Sequence, residues 1–194
     1  MTSVQPSPSS IEARALDGYL VVSAQGGDRS AFDLLARRWD RRLRAHAWRL
    51  TGDRDLASEA TQAGWLEIAH GLSGLRDESA FAAWAFRIIT RRCAGLIRQR
   101  QRQRGLLQAI EAETPHEPDQ TSSVDSMAPR LQAAIRGLPN AQRAAVALFY
   151  FEDLSVAEAA VALDVPAGTV KTRLMHARRS LRAVLEGEHH EQDG

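Results

Sequence analysis

Leu138–Leu185 reads LPNAQRAAVALFYFEDLSVAEAAVALDVPAGTVKTRLMHARRSLRAVL, and its centre is two helices joined by a tight turn. Ser155 and Glu158 have the spacing of a capping box, in which the serine hydroxyl accepts an amide proton and the glutamate reaches back to the cap's own N–H. A short apolar helix follows through Ala159, Ala160 and Leu163. Asp164, Val165 and Pro166 break it, and Pro166 suits the first turn of the next helix because no amide donor is lost there. In that helix Val170, Leu174, Ala177, Leu181 and Val184 recur at steps of four and three, which predicts one buried stripe. The opposite face carries Lys171, Thr172, Arg173, His176, Arg178, Arg179 and Arg182, with no acid before Glu186. A helical hairpin with a solvated basic face would not need cap, turn, proline and acid-free face together. The combination is that of a helix-turn-helix, whose second helix enters the major groove of DNA.

The rest of the chain gives this stretch its setting. At 194 residues there is length for one large or two small domains. No window approaches the roughly 18 unbroken apolar residues of a membrane span, so no membrane insertion is expected. The start, MTSVQPSPSS, lacks the basic and apolar run of a secretory signal, and residues 1–15 are expected to be a disordered arm. With one cysteine, Cys93, there is no internal disulfide and no Cys-based zinc site, and the expected location is the cytoplasm. Net charge is only +1, but it is unevenly spread. Residues 1–110 hold 17 Lys and Arg against 11 Asp and Glu, while residues 111–129 hold five acids and no base. Such asymmetry points to polyanion contacts at separate places.

Helical periodicity runs throughout, with no useful strand alternation. The expected fold class is all-α: two small helical domains joined by an acidic flexible linker, the C-terminal one a helix-turn-helix. A first short helix is expected over Leu16–Gln25, ending at Gly26-Gly27. Ser30 with Asp33 is a capping pattern for a long helix marked by Phe32, Leu35, Trp39, Leu43 and Ala47. Asp53-Arg54-Asp55 opens a third, carrying Leu56, Ala60, Ala63 and Ile68, with Glu59, Gln62 and Glu67 on its other face. After the loop GLSGLRDES (Gly71–Ser79), a fourth helix runs from about Ala80 past Arg98. On it Arg87, Arg91, Arg98 and Arg102 fall within about 60° of one another at 100° per residue. From Arg87 to Arg104 there are seven arginines and no acid, a ridge that favours nucleic acid over a solvated face. Trp84 precedes it, placed either to stack on an unpaired base or to fill the core. The segment 105–129, rich in Pro, Ser and acid, has linker composition. It separates a domain over 16–104 from one over 130–186, followed by a tail over 187–194. The tail's His189 and His190 lack neighbouring ligands at metal spacing. No metal or cofactor is expected.

These residues resemble the bacterial RNA polymerase sigma factors of the sigma-70 family, in the small extracytoplasmic-function (ECF) group that keeps only the second and fourth regions. The C-terminal stretch follows the family's LP-x-x-QR, its capping triad (here Asp153-Leu154-Ser155) and VP-x-GTVK-[ST]-R-L-x-x-AR-x-x-L. GDRDLASEATQAGWL and FAAWAFRIITRRCAGLIRQR are similar to its second region. The likeness spans about Leu16–Arg104 and Arg130–Leu185. It implies a protein that is not an enzyme and that gives core RNA polymerase its promoter specificity. Leu56, Glu59, Gln62, Ala63 and Leu66 would meet the clamp helices of the largest polymerase subunit, and the β-subunit flap would be a second contact. Leu72, Ser73, Trp84, Arg87, Arg91 and Arg98 would read the −10 element and hold it open as single-stranded DNA. Lys171, Thr172, Arg173, Met175, His176 and Arg179 would face the double-stranded −35 element, with Pro166, Gly168 and Thr169 against phosphate. An anti-sigma partner is implied as well. The chain departs from the pattern at Ala63, where the family usually has glutamate, at Ser58-Glu59, and at Arg91-Arg92, where a polar Asn is usual. A stand-alone helix-turn-helix regulator is the alternative, but it leaves the ridge, loop and acidic linker without purpose. An enzyme acting on nucleic acid would need a Ser/His/Asp set, a phosphate loop or paired carboxylates, and the sequence has none.

Overall fold

The computed structural model describes residues 8–110 and 127–187, and side chains over 12–105 and 130–184. Residues 1–7 of the expected arm, most of the linker (111–126), and the tail with His189 and His190 lie outside the described residues. Among the described residues all regular structure is helical: α1 Pro8–Gln25, α2 Arg29–Thr51, α3 Arg54–Gly71, α4 Phe81–Ile110, α5 Met127–Gly137, α6 Asn140–Val146, α7 Val156–Leu163 and α8 Ala167–Gly187. Two 3₁₀ turns, Leu72–Gly74 and Glu78–Ala80, lie between α3 and α4. A wide π turn, Ala147–Phe151, follows α6.

Two helices are longer than the sequence reading expects. α1 begins inside the presumed arm, where Pro8 at the first helical position sacrifices no donor. α4 continues through Gly105 to Ile110, because one glycine costs a helix only about 1 kcal/mol and its neighbours are good helix formers. The cap of α2 is also different. Asp28, not Ser30, accepts the N–H groups of Ser30 (2.8 Å) and Ala31 (3.2 Å). For α3 the expectation holds, with Asp53 accepting from Asp55 and Leu56.

The first unit packs α1 to α4 around Leu35, Trp39, Leu43, Ile68, Phe81, Phe86 and Ile89, all buried. Trp39 meets Phe81 edge-on at 5.2 Å between ring centroids. α3 and α4 approach so closely at Gly64 that an added Cβ would collide with Ile89 Cδ1. Cys93 is buried here, and burial pushes its thiol up to about 12, so it behaves as an apolar side chain.

In the second unit α7 carries the expected capping box: Ser155 Oγ accepts from Glu158 N–H (3.2 Å), and Glu158 Oε2 from Ser155 N–H (2.7 Å). The helix ends with Asp164 in the left-handed region (φ 54°) and Val165 N–H on Ala160 O at 3.1 Å, a Schellman closure. Val170, Leu174 and Ala177 of the predicted stripe are buried and Leu181 half-buried. Val184 is 47% exposed, on an open groove that α8 forms with α5 and the turn at Leu138 and Pro139.

The units share one hydrophobic core, with α7 against α4 and α6 against α2. Ion pairs cross the junction. Arg42 Nε and Arg49 Nη1 lie 3.3 and 2.7 Å from the buried carboxylate of Glu152, and Arg87 pairs with Asp164 at 2.9 Å.

Candidate nucleic-acid interface

The second helix of the helix-turn-helix, α8, begins where the turn delivers it. Pro166 O accepts the N–H groups of Thr169 and Val170, and Pro166, Ala167 and Gly168 are exposed. The α8 N-terminus therefore offers unsatisfied N–H groups and the positive end of the dipole to solvent. Behind it Lys171, Thr172, Met175, His176 and Arg179 are exposed, while Thr169 and Arg173 are half-buried. Thr172 Oγ1 donates back to Gly168 O at 3.0 Å. Within the described structure none of Lys171, Arg173, Arg178 or Arg179 pairs with a carboxylate. These four form a cationic surface with no carboxylate partner among the described residues.

The arginine ridge of α4 is different. It is acid-free in sequence, yet acids from elsewhere fold onto it. Arg91 and Arg92 pair with Glu67 of α3, Arg87 with Asp164, and Arg100 with Asp53. Burial alone would raise the Glu67 carboxyl, but the two guanidiniums hold it below the usual carboxylate range. Arg98 and Arg102 remain exposed, with no carboxylate partner among the described residues. Two of the four ridge positions are thus free cations and two are already matched.

The loop between α3 and α4 is firmly built. Leu72 is buried, so of the two expected loop residues only Ser73 presents a side chain. The Leu72 side chain anchors the loop in the core. Trp84 is half-buried against Phe81 and over Gly71, where an added Cβ would meet its ring at 3.0 Å. Its ring belongs largely to the core. On α3, Glu59, Gln62 and Leu66 form an outward stripe with half-buried Leu56 and Ala63 beside it, and Leu66 is 65% exposed.

Residue reading in one dimension missed the partners. Glu67, Glu152 and Gln25 act through residues far along the chain, and only Glu67's acidity on the outer face of its helix gave any signal.

Two folded halves, one ending in a helix-turn-helix and one bearing an arginine-ridged helix, place the chain in a known class. Residues 35–103 match the family model of sigma-70 region 2, and residues 129–181 that of sigma-70 region 4. The chain is 34% identical over 169 residues to the ECF RNA polymerase sigma factor SigM of Mycobacterium tuberculosis, covering 87% of this chain and 84% of SigM. It is 27% identical over 181 residues to the RNA polymerase sigma-H factor of Pseudomonas aeruginosa, covering 88% and 94%. Among solved structures it resembles RpoE of Bartonella quintana in complex with the anti-sigma factor NepR, with a TM-score of 0.65 and 25% identity over 80% of this chain and 96% of RpoE. Its fold is also that of CnrH bound to the cytosolic domain of CnrY, with a TM-score of 0.67 and 23% identity over 89% and 98%. The chain belongs to the sigma-70 family, in the ECF group of RNA polymerase sigma factors.

Proposed function

We propose a residue-level division of labour for this sigma factor. α8 enters the major groove of the −35 element, with Lys171, Thr172, Arg173, Met175 and His176 toward the bases and Pro166, Gly168, Thr169 and Arg179 toward phosphate. A helix N-terminus there favours the anion. Ser73 of the α3–α4 loop and Arg87, Arg91 and Arg98 of α4 hold the opened −10 strand, and Trp84 supports the loop from beneath. The α3 stripe of Leu56, Glu59, Gln62, Ala63 and Leu66 docks on the clamp helices of the largest polymerase subunit, and the second unit meets the β-subunit flap. An anti-sigma protein is the expected regulator. The work needs no covalent chemistry, since opening the strand is paid for by binding it. It takes place in the cytoplasm.

The observation that carries this reading is that Lys171, Arg173, Arg178 and Arg179 of α8 have no carboxylate partner among the described residues. A solvated surface does not need its cations free of carboxylates while those of α4 are largely matched.

The test is in vitro transcription of fragmented genomic DNA by sigma-free core polymerase, with and without this chain, mapping RNA 5′ ends. New starts preceded by two motifs at fixed spacing are expected. Arg173→Ala or His176→Ala should then lower output at promoters with a strong upstream motif about tenfold, as expected for the loss of one good base contact, and leave core binding unchanged. Equal loss of both would sink the −35 assignment.

A further inference from the structure

Gln25 is the last residue of α1, and its side chain does one thing. Nε2 donates to Leu72 O (2.8 Å) and to Leu75 O (2.7 Å), 47 and 50 residues away. Both donors of the amide are thereby used, one on each side of Ser73 and Gly74, which are exposed between them. The arm that carries Gln25 is rigid. Leu20 and Val21 are buried in the core, and the chain after Gln25 closes through Gly26 N–H on Val22 O (3.0 Å), Gly27 N–H on Ala24 O (3.0 Å) and Asp28 N–H on Ser23 O (3.1 Å). Gly27, at φ 97°, supplies the left-handed residue this closure requires. From the other side Leu72 is sunk in the core, and Asp77 caps the second 3₁₀ turn through Ser79 N–H (2.9 Å). Its own backbone ties are short-range ones, Leu72 N–H on Ile68 O and Leu75 N–H on Leu72 O (3.1 Å). Two glycines, Gly71 and Gly74, would otherwise let it wander.

We infer that Gln25 is a positioning residue for promoter reading: it clamps the Leu72–Leu75 loop so that Ser73 and the loop backbone meet an unstacked −10 base in one fixed geometry. This rests on the reading above that the loop receives single-stranded −10 DNA. A loop that must order itself around each base loses conformational entropy on binding and discriminates poorly. A loop ordered beforehand has its polar groups already aimed, and a base that does not match leaves them unpaired. The net contribution of two neutral hydrogen bonds corresponds to a bias of about 30-fold toward the clamped geometry.

Gln25→Glu keeps length and shape, removes both donors and sets a carboxylate against two carbonyl oxygens. Gln25→Leu removes the donors without adding charge. Holoenzymes made from core polymerase and the wild-type chain or either variant would transcribe a promoter library, built on a start site the wild type uses, with both upstream elements randomised. Sequencing the RNA and its templates gives the base preference at every position. The strongest single-base preference in the −10 element should fall about tenfold in both variants, while −35 preferences and core binding stay as in the wild type. Unchanged −10 preference in both variants would show that Gln25 only fills space. Loss of −35 preference and core binding along with −10 preference, in both variants, would make Gln25 a support of the whole fold and overturn the inference. A wild-type holoenzyme without any −10 preference would remove the loop's role, and the inference with it.

Discussion

His46 shows how strongly a single site can be set by its surroundings. It is fully buried on α2, edge-on to Phe86 at 5.0 Å, with Nε2 2.9 Å from Thr90 Oγ1 and no partner for Nδ1. Burial, and then the positive charge of Arg49 one turn further on, lower its pKa from 6.5 to about 3. The folded chain therefore keeps a neutral imidazole where the unfolded chain is protonated. The stabilising contribution is complete above pH 6.5 and is lost as pH falls from there toward 3, at up to about 1.4 kcal/mol per pH unit. Chemical denaturation at pH 7, 6 and 5 should show that slope. In His46→Phe, which carries no titratable group, it should flatten by nearly that amount. Parallel slopes for the two proteins would mean that other groups govern acid unfolding. This histidine is a polar core residue, paired with one threonine through Nε2 and left unpaired at Nδ1.

At the scale of elements, α4 and α8 look alike in sequence and differ in the fold. Both carry runs of arginine without acids, but α3 and the helix-turn-helix turn bring Glu67 and Asp164 to α4, whereas Lys171, Arg173, Arg178 and Arg179 of α8 have no carboxylate partner among the described residues. The free ridge cations are thus Arg98 and Arg102. Replacing both with alanine should reduce the slope of log affinity against log salt for promoter opening by about 1.5, since each phosphate contact releases most of one counterion. Replacing Arg91 and Arg92 should change the slope less, because Glu67 already screens them. A slope unchanged from the wild type in both double variants would return the whole ridge to a solvated role. The contrast also marks how far the sequence is legible. Periodicity, the Ser155–Glu158 box, the Asp53 cap and the turn at Asp164 follow local rules, so helices α2, α3, α7 and α8 can be read from neighbours a few residues apart. The family pattern adds which faces bind. What cannot be read is which distant group neutralises, clamps or buries a side chain: Glu67 under Arg91, Gln25 on the loop, Trp84 over Gly71. Helix ends also drift where propensity persists, as at Pro8 and Ile110, because composition alone does not say where packing stops.

Across the whole molecule, the two units are joined at Glu152. Its carboxylate, only 3% exposed, receives Arg42 and Arg49 from α2, and its backbone O accepts Arg42 Nη2 at 3.1 Å. The guanidiniums are themselves held over rings, Arg42 at 4.6 Å from the centroid of Trp39 and Arg49 at 4.6 Å from that of Phe151. Burial pushes the Glu152 carboxyl above the usual carboxylate range, and the two cations offset only part of that rise. The same junction sets Asp164 on Arg87, a ridge position proposed above to hold the −10 strand. Removing one partner of a buried pair typically destabilises by about 3–5 kcal/mol. Here Arg42 is 44% and Arg49 25% exposed, so solvent screening reduces the expectation to about 2 kcal/mol. That is roughly 30-fold in the balance between joined and separated units. Small-angle scattering at low salt should give the wild type a radius of gyration near the roughly 16 Å of a compact chain of this length. Glu152→Ala should raise it by several ångströms without loss of helix content. Glu152→Gln, which keeps a hydrogen-bonding oxygen but not the charge, should fall between. High salt should expand the wild type less than the mutation does, because a buried pair is poorly screened. A scattering profile unchanged by Glu152→Ala would show that the apolar contacts of α7 with α4 hold the units together alone.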